Sequence, residues 1–273
     1  MKNILIIISY TLREALARKV FIFFIAVSVL FLLGLSFAFS LMDTNQILSS
    51  MSKNSNPFML GQAIGFLEVA LITPLSLLCL LLAIFSTSSF IPNMLEKGNI
   101  DLILSKPISR IQLIIGKYIG SILFILINIG LLIFGTWLII SLKFSYWNAS
   151  FLWSIVIITF TFAVLYSIIV LFGIITRSSI FGMMIAYFVY LILSPALFFV
   201  KSKVDIFNIS DFFKEILKGL YYIIPKTSEL MSGILVDVST GKSITDYQPV
   251  ISSTIFLIII LGYGVFLFTR KDF

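Results

Sequence analysis

The charged residues best placed for chemistry lie in one short segment between two apolar runs. Residues 96–110 read EKGNIDLILSKPISR. Charged side chains in such a segment can form ion pairs and interact with helix ends. A chain with so few charged residues must have a physical reason to concentrate them in this segment.

The chain offers no catalytic centre. It has no histidine and a single cysteine, Cys79, so the usual zinc and copper sites cannot form and an internal disulfide is excluded. No G-x-x-x-x-G-K-[ST] phosphate loop occurs. We therefore predict no catalytic residue, no resident metal or other cofactor, and no ATP hydrolysis by this chain.

Composition identifies the environment that must position the charged segment. The 273 residues are 60% hydrophobic and 11% charged, and the mean hydropathy is +1.14. Six runs are long enough to cross a hydrocarbon core of about 30 Å as helices. They cover residues 20–42, 69–91, 118–142, 151–175, 179–200 and 250–269. The sequence predicts an all-α polytopic membrane protein with one transmembrane domain, residues 1–273.

Local signals predict a rigid elbow between the second and third spans. Asn99 can cap a short helix, with Asp101 in its first turn. Pro107 disfavours helical geometry at the preceding residue and ends that helix. Ser109 and Gln112 have the spacing of a capping box, which starts the next helix. The segment therefore encodes a short helix, a fixed corner and a strongly nucleated third span.

The short helix of the elbow also carries an apolar patch. The patch comprises Ile100, Leu102, Ile103 and Leu104. It can rest on the inner leaflet of the bilayer, or it can contact a protein partner. Composition alone slightly favours the leaflet.

Positive charge sets the expected orientation. With the N-terminus in the cytoplasm, eleven Lys and Arg residues flank the spans on the inside, against Lys53 and Lys143 in the short loops outside. The inside set is Lys2, Arg13, Arg18, Lys19, Lys97, Lys106, Arg110, Lys117, Arg177, Arg270 and Lys271. We expect a cell membrane protein with both termini cytoplasmic and with segment 201–249 external. The excess positive charge suits anionic lipid, so no nucleic acid partner is implied.

The N-terminal residues predict an amphipathic helix at the membrane interface. Its apolar stripe is Ile4, Ile8, Leu12, Ala15 and Leu16. Ile6 and Ile7 fall outside that stripe. Arg13, Glu14 and Arg18 are candidates for contacts made by this helix, either as a lipid anchor or as part of a docking surface.

Two features lie toward the opposite side. Glu68 precedes the core of the second span and is expected near the outer interface, where structural and functional roles are equally compatible with its position. In segment 201–249 an amphipathic helix ends at Pro225. Thr227 or Ser228 can cap a second helix that ends near Gly233.

Residues 91–120, IPNMLEKGNIDLILSKPISRIQLIIGKYIG, resemble a pattern of type-2 ATP-binding-cassette (ABC) exporter permeases. The pattern has an acidic residue and Gly, a short apolar helix, P-[IV]-S-R, and G-K before the third span. The matching residues are Glu96, Gly98, Leu104, Pro107, Ile108, Ser109, Arg110, Gly116 and Lys117. The chain is most similar to the branch associated with maturation of multi-copper enzymes.

The resemblance implies that residues 100–106 form a coupling helix that fits a groove on an ATPase subunit. The implied partner-binding set is Glu96, Gly98, Ile100, Asp101, Leu102, Ile103, Leu104, Lys106, Pro107, Ile108, Ser109 and Arg110. Gly116 and Lys117 mark the start of the third span. Glu96 and Arg110 can pair with the ATPase or brace the elbow, and bracing is the preferred interpretation.

The function that the resemblance implies is the membrane subunit of an ABC exporter working by alternating access. ATP and Mg would be bound by a partner ATPase, and a second permease copy or a related permease would complete the complex. A secondary transporter or channel is the first alternative, although only neutral residues such as Asn128 are available at mid-membrane. An intramembrane enzyme and a noncatalytic assembly factor are further alternatives.

Overall fold

The computed structural model describes residues 2–17, 19–41, 57–96, 98, 108–203 and 219–271. This part of the chain is helical and contains no strand. The helices are α1 Lys2–Ala17, α2 Lys19–Leu41, α3 Pro57–Thr87, α4 Phe90–Met94, α5 Arg110–Phe144 and α6 Ser154–Thr176, the last preceded by a 3₁₀ turn at Ala149–Trp153. The remaining helices are α7, residues 179–203, α8, residues 227–239, and α9 Gln248–Arg270.

Two of these helices contain a π-helical turn. Helix α7 runs through Ser179–Phe188, Val189–Leu193 and Ser194–Lys203, and α8 runs through Thr227–Glu229, Leu230–Ile234 and Leu235–Ser239, the middle segment having π geometry in each. Such turns insert an extra residue into a helix and often occur at functional sites.

Six helical stretches in the described ranges are long and apolar enough to cross a membrane. They are Phe21–Leu41, Ile64–Met94, Arg110–Phe144, Ala149–Thr176, Ser179–Lys201 and Gln248–Arg270. The predicted all-α polytopic fold is confirmed. Helix α5, the third span, starts about two turns earlier than predicted because capping at Ser109 extends it beyond the apolar run.

Helix α6 forms the centre of the bundle. Every residue from Thr161 to Leu171 is buried. Tyr118 of α5 donates a hydrogen bond to the Ala163 carbonyl (2.8 Å), and the Tyr166 hydroxyl lies 2.9 Å from Ser121 Oγ. These polar contacts join α5 and α6 where apolar attraction between helices is weak in lipid.

Close approaches at two glycines pack other helices onto α6. A Cβ at Gly182 of α7 would lie 3.1 Å from the Ile169 carbonyl oxygen, and one at Gly264 of α9 would lie 3.7 Å from Leu171 Cα. Small residues allow helix backbones to come this near to each other. The bundle therefore holds α7 and α9 against its central helix.

The helices define two ends of the bundle. The end that holds Arg110, Thr176 and Lys271 is called the proximal end, and the end that holds Glu68 and Asn148 is called the distal end. Successive spans alternate in direction between these ends, so the short α8 lies at the distal end between α7 and α9.

The predicted cap of the second distal helix is wrong. Helix α8 begins at Thr227, but its N-terminal position has no side-chain cap from Thr227 or Ser228. Instead, the Ser228 backbone N–H donates to Ser194 Oγ of α7 (3.0 Å). Gly233 lies within the helix rather than at its end, because the contact with α7 starts a longer helix than local capping alone would support.

Candidate functional site

The start of α5 has the predicted capping box. Ser109 Oγ accepts a hydrogen bond from the Gln112 backbone N–H (3.2 Å), and Gln112 Oε1 accepts one from the Ser109 N–H (3.3 Å). These reciprocal bonds satisfy two backbone donors that a helix start otherwise leaves open. The direction in which the chain leaves the elbow is thereby set by local sequence.

Helix α1 lies directly against this first part of α5. A Cβ at Gly116 would lie 2.7 Å from Ile7 Cγ2, and a Cβ at Gly120 would lie 2.8 Å from Thr11 Cβ. The four-residue step is the same on both helices, so α1 runs alongside α5 in the same direction. Only glycine allows this distance at both positions.

The buried face of α1 differs from the predicted stripe. Ile7 is 5% exposed, and Thr11 and Ala15 are also buried, whereas Leu16 is 50% exposed. The predicted stripe maximised apolar character, but the two glycines of α5 select the face that can approach most closely. Ile7, which the stripe excluded, is therefore a central contact, and Gly120 is a site residue that the sequence interpretation missed.

An ion pair reinforces the same interface. Lys117 Nζ of α5 pairs with Glu14 Oε2 of α1, and the side chains are 3% and 24% exposed. The ammonium also lies 5.3 Å from the centroid of the Tyr10 ring. A buried charge needs such a partner to offset its desolvation. Glu14 and Lys117 thus join the N-terminal helix to the third span.

The end of α9 contacts the start of α5 and the end of α6. Arg110 Nη1 donates to the carbonyl oxygens of Thr269 (3.3 Å) and Lys271 (2.5 Å). Lys271 Nζ in turn donates to the carbonyls of Ile174 (2.6 Å) and Ile175 (3.3 Å) at the end of α6. Burial, together with the charge of Arg177, lowers the pKa of Lys271. These cations meet helix C-terminal carbonyls, where positive charge is favoured.

Other predicted site residues have varied positions. Glu96 is exposed, and Gly98 has a φ of 90°, a left-handed conformation that favours glycine. Ile108 is partly buried and Arg13 is exposed. The predicted residues outside the described part of the chain are Arg18, Ile100, Asp101, Leu102, Ile103, Leu104, Lys106 and Pro107. The coupling helix therefore stays a prediction.

A second polar contact lies at the distal end. Glu68 is 1% exposed, and its Oε2 accepts a hydrogen bond from Asn148 Nδ2 (2.7 Å). The same amide nitrogen donates to the Ser239 carbonyl (2.9 Å), and Trp137 Nε1 donates to the Asn148 carbonyl (2.9 Å). Glu68 therefore joins α3 to the loop after α5 and to α8. The expected position near the outer interface did not reveal that the side chain is buried.

These arrangements are polar contacts that join separate helices. Across the described ranges, no group of three His, Cys, Asp or Glu side chains is placed to hold a metal ion. The proximal contacts join α1, α5, α6 and α9 through charged and backbone groups. Together with six apolar helices, they define a polytopic membrane protein whose third span is fixed at its base by both terminal segments.

Comparison with known families shows to which family of membrane proteins the chain belongs. The family model described as ABC-2 family transporter protein matches residues 6–273. The chain therefore belongs to that family and is a membrane permease of an ABC transporter, a transport subunit rather than a catalytic one. No match was found among curated proteins. The resemblance to the multi-copper-enzyme-maturation branch stays a prediction.

Proposed function

We propose that this chain is the membrane subunit of an ABC exporter and moves its substrate by alternating access. Hydrolysis of ATP with Mg would take place in a separate ATPase, and a second permease copy or a related permease would form the other half of the pathway. Family membership supports an ABC permease. Export direction, the identity of the second permease and the mechanism of access are the finer parts of the proposal.

The observation that carries the proposal is that both α1 and the end of α9 contact the first turns of α5. Force applied to the elbow can move the spans only if the third span is stiff at its base. Glu14 and Lys117 join it to α1, and Arg110 joins it to the end of α9. A push at residues 97–107 would therefore be shared by several spans instead of bending one helix.

The roles of the charged elbow residues divide accordingly. Arg110 Nη1 donates to backbone carbonyls of the same chain, which supports the bracing role over direct pairing with the ATPase. We assign contact with the ATPase to the apolar residues Leu102 and Leu104, with Glu96 at the exposed edge of the surface.

Co-purification tests this assignment. The tagged chain is isolated in mild detergent with the proteins encoded beside it, and the bound ATPase is measured for wild type, Leu102→Asp and Arg110→Gln. We expect Leu102→Asp to lose the ATPase. Arg110→Gln should retain it but lower substrate-stimulated relative to basal ATP hydrolysis, because bracing is weakened while the contact remains.

Arg270→Gln is the matched control for Arg110→Gln, since Arg270 is another proximal arginine, and its exposed side chain packs on Phe266 of its own helix. Equal ATPase recovery with wild type and Leu102→Asp would reject the coupling-helix assignment. Recovery of the permease without any ATPase, in wild type as well, would reject the exporter proposal.

The proposed location is the cell membrane, with the proximal end in the cytoplasm. The buried Cys79 permits a clean test once it is replaced by serine. Thr176→Cys and Lys242→Cys then place one thiol at an exposed position of each end. An impermeant maleimide added to intact cells should label only Lys242→Cys, and the opposite labelling pattern would reject this orientation.

A further inference from the structure

A cavity of about 380 Å³, called the polar cavity because its lining includes charged residues among apolar ones, opens at the distal end between α7, α8 and the segment that leads into α9. Its charged lining residues are Lys201, Glu229, Asp237 and Asp246. Lys201 Nζ lies 3.2 Å from Glu229 Oε1, so these two charges offset each other. The lining therefore has an excess of two carboxylates.

The remaining carboxylates have few compensating charges: the ammonium of Lys226, which lies outside the lining, attracts Asp246. Asp246 Oδ1 accepts the Gln248 backbone N–H (2.8 Å), and neither Asp237 nor Asp246 forms an ion pair with any described residue. Asp237 also lies in the last turn of α8, where the helix dipole disfavours negative charge. A cation in the cavity would relieve this unfavourable electrostatic arrangement.

The form of the cavity favours an organic cation over a metal ion. The described acidic residues include no group of three placed to chelate a metal. The carboxylates are instead spread around a cavity that also includes the ring of Phe198. Separated anionic groups with an aromatic face are suited to an ammonium group, whose charge is diffuse and can contact a π-system.

A second, apolar cavity adjoins the polar one. It has a volume of about 670 Å³ and lies between α3, α7 and α8. Leu77, Leu191 and Met231 contribute to its lining, while Phe198 and Ser232 line both cavities. A charged compartment thus continues into a hydrocarbon-like one, and the junction is formed by an aromatic ring and a small polar residue.

We propose that the two cavities form one binding site for an amphiphile with an ammonium headgroup. The headgroup lies near Asp237, Asp246 and Phe198, and the hydrocarbon chain lies in the apolar cavity against α3 and α7. Burial of the chain supplies affinity, while the two carboxylates select the sign of the headgroup charge. The site lies within a single chain and does not depend on the proposed export mechanism.

Binding of a fluorescent probe to the full chain, without any ATPase, tests the site. The protein is held in an uncharged maltoside micelle, so that the surface does not attract the probe. The probe is a single-chain amphiphile with a dansyl label and a trimethylammonium headgroup, and its comparison compound has a sulfate headgroup. Energy transfer from Trp137, Trp147 and Trp153 reports binding.

Two variants separate the parts of the site. The double substitution Asp237→Asn and Asp246→Asn should weaken binding of the cationic probe by at least about tenfold, since each carboxylate contributes roughly fivefold near the surface. Ser232→Phe should weaken binding by about tenfold by closing the junction. Ser40→Phe is its control, because both serines are exposed and bond to a carbonyl of their own helix.

Wild type should bind the sulfate probe at least about tenfold more weakly than the cationic probe. Equal affinity for both probes, or unchanged binding in the double variant, would overturn the headgroup assignment. Unchanged binding in Ser232→Phe would overturn the joined site. Each variant must elute from gel filtration and unfold thermally like wild type before binding is compared.

Added phosphatidylcholine distinguishes two sources of the same headgroup chemistry. Competition by this lipid supports a resident membrane lipid with a quaternary ammonium. An unchanged affinity for the cationic probe supports a free single-chain amphiphile. In a further control the protein is denatured, and gel filtration verifies that it has not refolded. If this unfolded protein binds the probe as well as the folded protein does, the signal reflects partition of the probe into micelles, which would overturn the site.

Discussion

The two ends of the bundle use charged residues in different ways. At the proximal end, Glu14, Lys117, Arg110 and Lys271 bind across helices or reach helix C-terminal carbonyls. At the distal end, Glu68 and Glu229 also have partners, whereas Asp237 lines an open cavity. Charged side chains therefore join helices where a partner group lies within reach, and where none does they remain in the lining of a cavity.

This difference follows from the hydrogen-bond acceptors and donors that the backbone offers at each place. Cations at a helix C-terminus find acceptors already present in the backbone. A carboxylate in the last turn of α8 finds no such local donor. We expect the stability of the fold to depend more on proximal than on distal polar contacts, and four predictions test that ranking.

The largest effect is expected for Lys117→Met. Loss of the ammonium breaks the ion pair with Glu14, which should destabilise the protein by about 3 kcal/mol, toward the lower limit for a buried pair because Glu14 is partly exposed. Thermal unfolding in detergent measures this change. Adding Glu14→Gln should recover much of the loss, and a double variant no better than the single one would show that the pair is not the cause.

Gly116→Ala should have the next largest effect, a loss of about 2 kcal/mol. The added methyl would lie 2.7 Å from Ile7 Cγ2 and push α1 away. Gly130→Ala, where no atom lies within 4 Å of the added Cβ, is the control in the same helix. Similar unfolding temperatures for the two variants would contradict the close packing of α1 on α5.

At the distal end, Asn148→Ala should cost about 1 to 2 kcal/mol because it removes the hydrogen bond to buried Glu68. Asn128→Ala is the control, since Asn128 Nδ2 donates only to the Phe124 carbonyl of its own helix among the contacts described. Unfolding temperatures compare the two. An equal or greater cost at Asn128 would remove the basis for a specific link between α3 and α8.

The smallest effect concerns the pH dependence contributed by Lys226. Its Nζ is buried 4.1 Å from the Tyr221 ring centroid, and desolvation lowers its pKa. Folding therefore disfavours the charged form of Lys226. As a result, the free energy of unfolding increases as pH rises through the pKa of this lysine in the folded state toward its pKa in the unfolded state.

Between about pH 7 and pH 10, wild type should gain more stability than Lys226→Met, which has no amine to titrate. Unfolding temperatures measured across this range provide the comparison. Lys242→Met, at an exposed lysine nearby, is the control. A gain in Lys226→Met as large as that of wild type would show that another group causes the pH dependence.

Local sequence signals predicted some of the site correctly. The capping box at Ser109 and Gln112 is confirmed because its two hydrogen bonds join residues three positions apart. The role of Arg110 stays a prediction, and the acceptors of its hydrogen bonds, the carbonyls of Thr269 and Lys271, lie at the other end of the chain. No short-range pattern could have identified them.

Helix α1 shows why periodicity was insufficient. The predicted stripe ranked faces by apolar character, whereas the contact face includes Thr11 and Ile7 and is chosen by the glycines of the partner helix. Likewise, the burial of Glu68 depends on Asn148, eighty positions away. Such choices depend on which surfaces can approach each other, and a single helix does not contain that information.

By itself, the sequence determined the membrane environment, the six membrane-spanning helices and the capped start of the third span. These properties follow from apolar length and from hydrogen bonds between near neighbours, which act before any helices meet. The tertiary structure alone decided which face of α1 is buried, where Arg110 binds and which carboxylates line the distal cavity. Those outcomes require close packing and desolvation between segments that are distant in the chain.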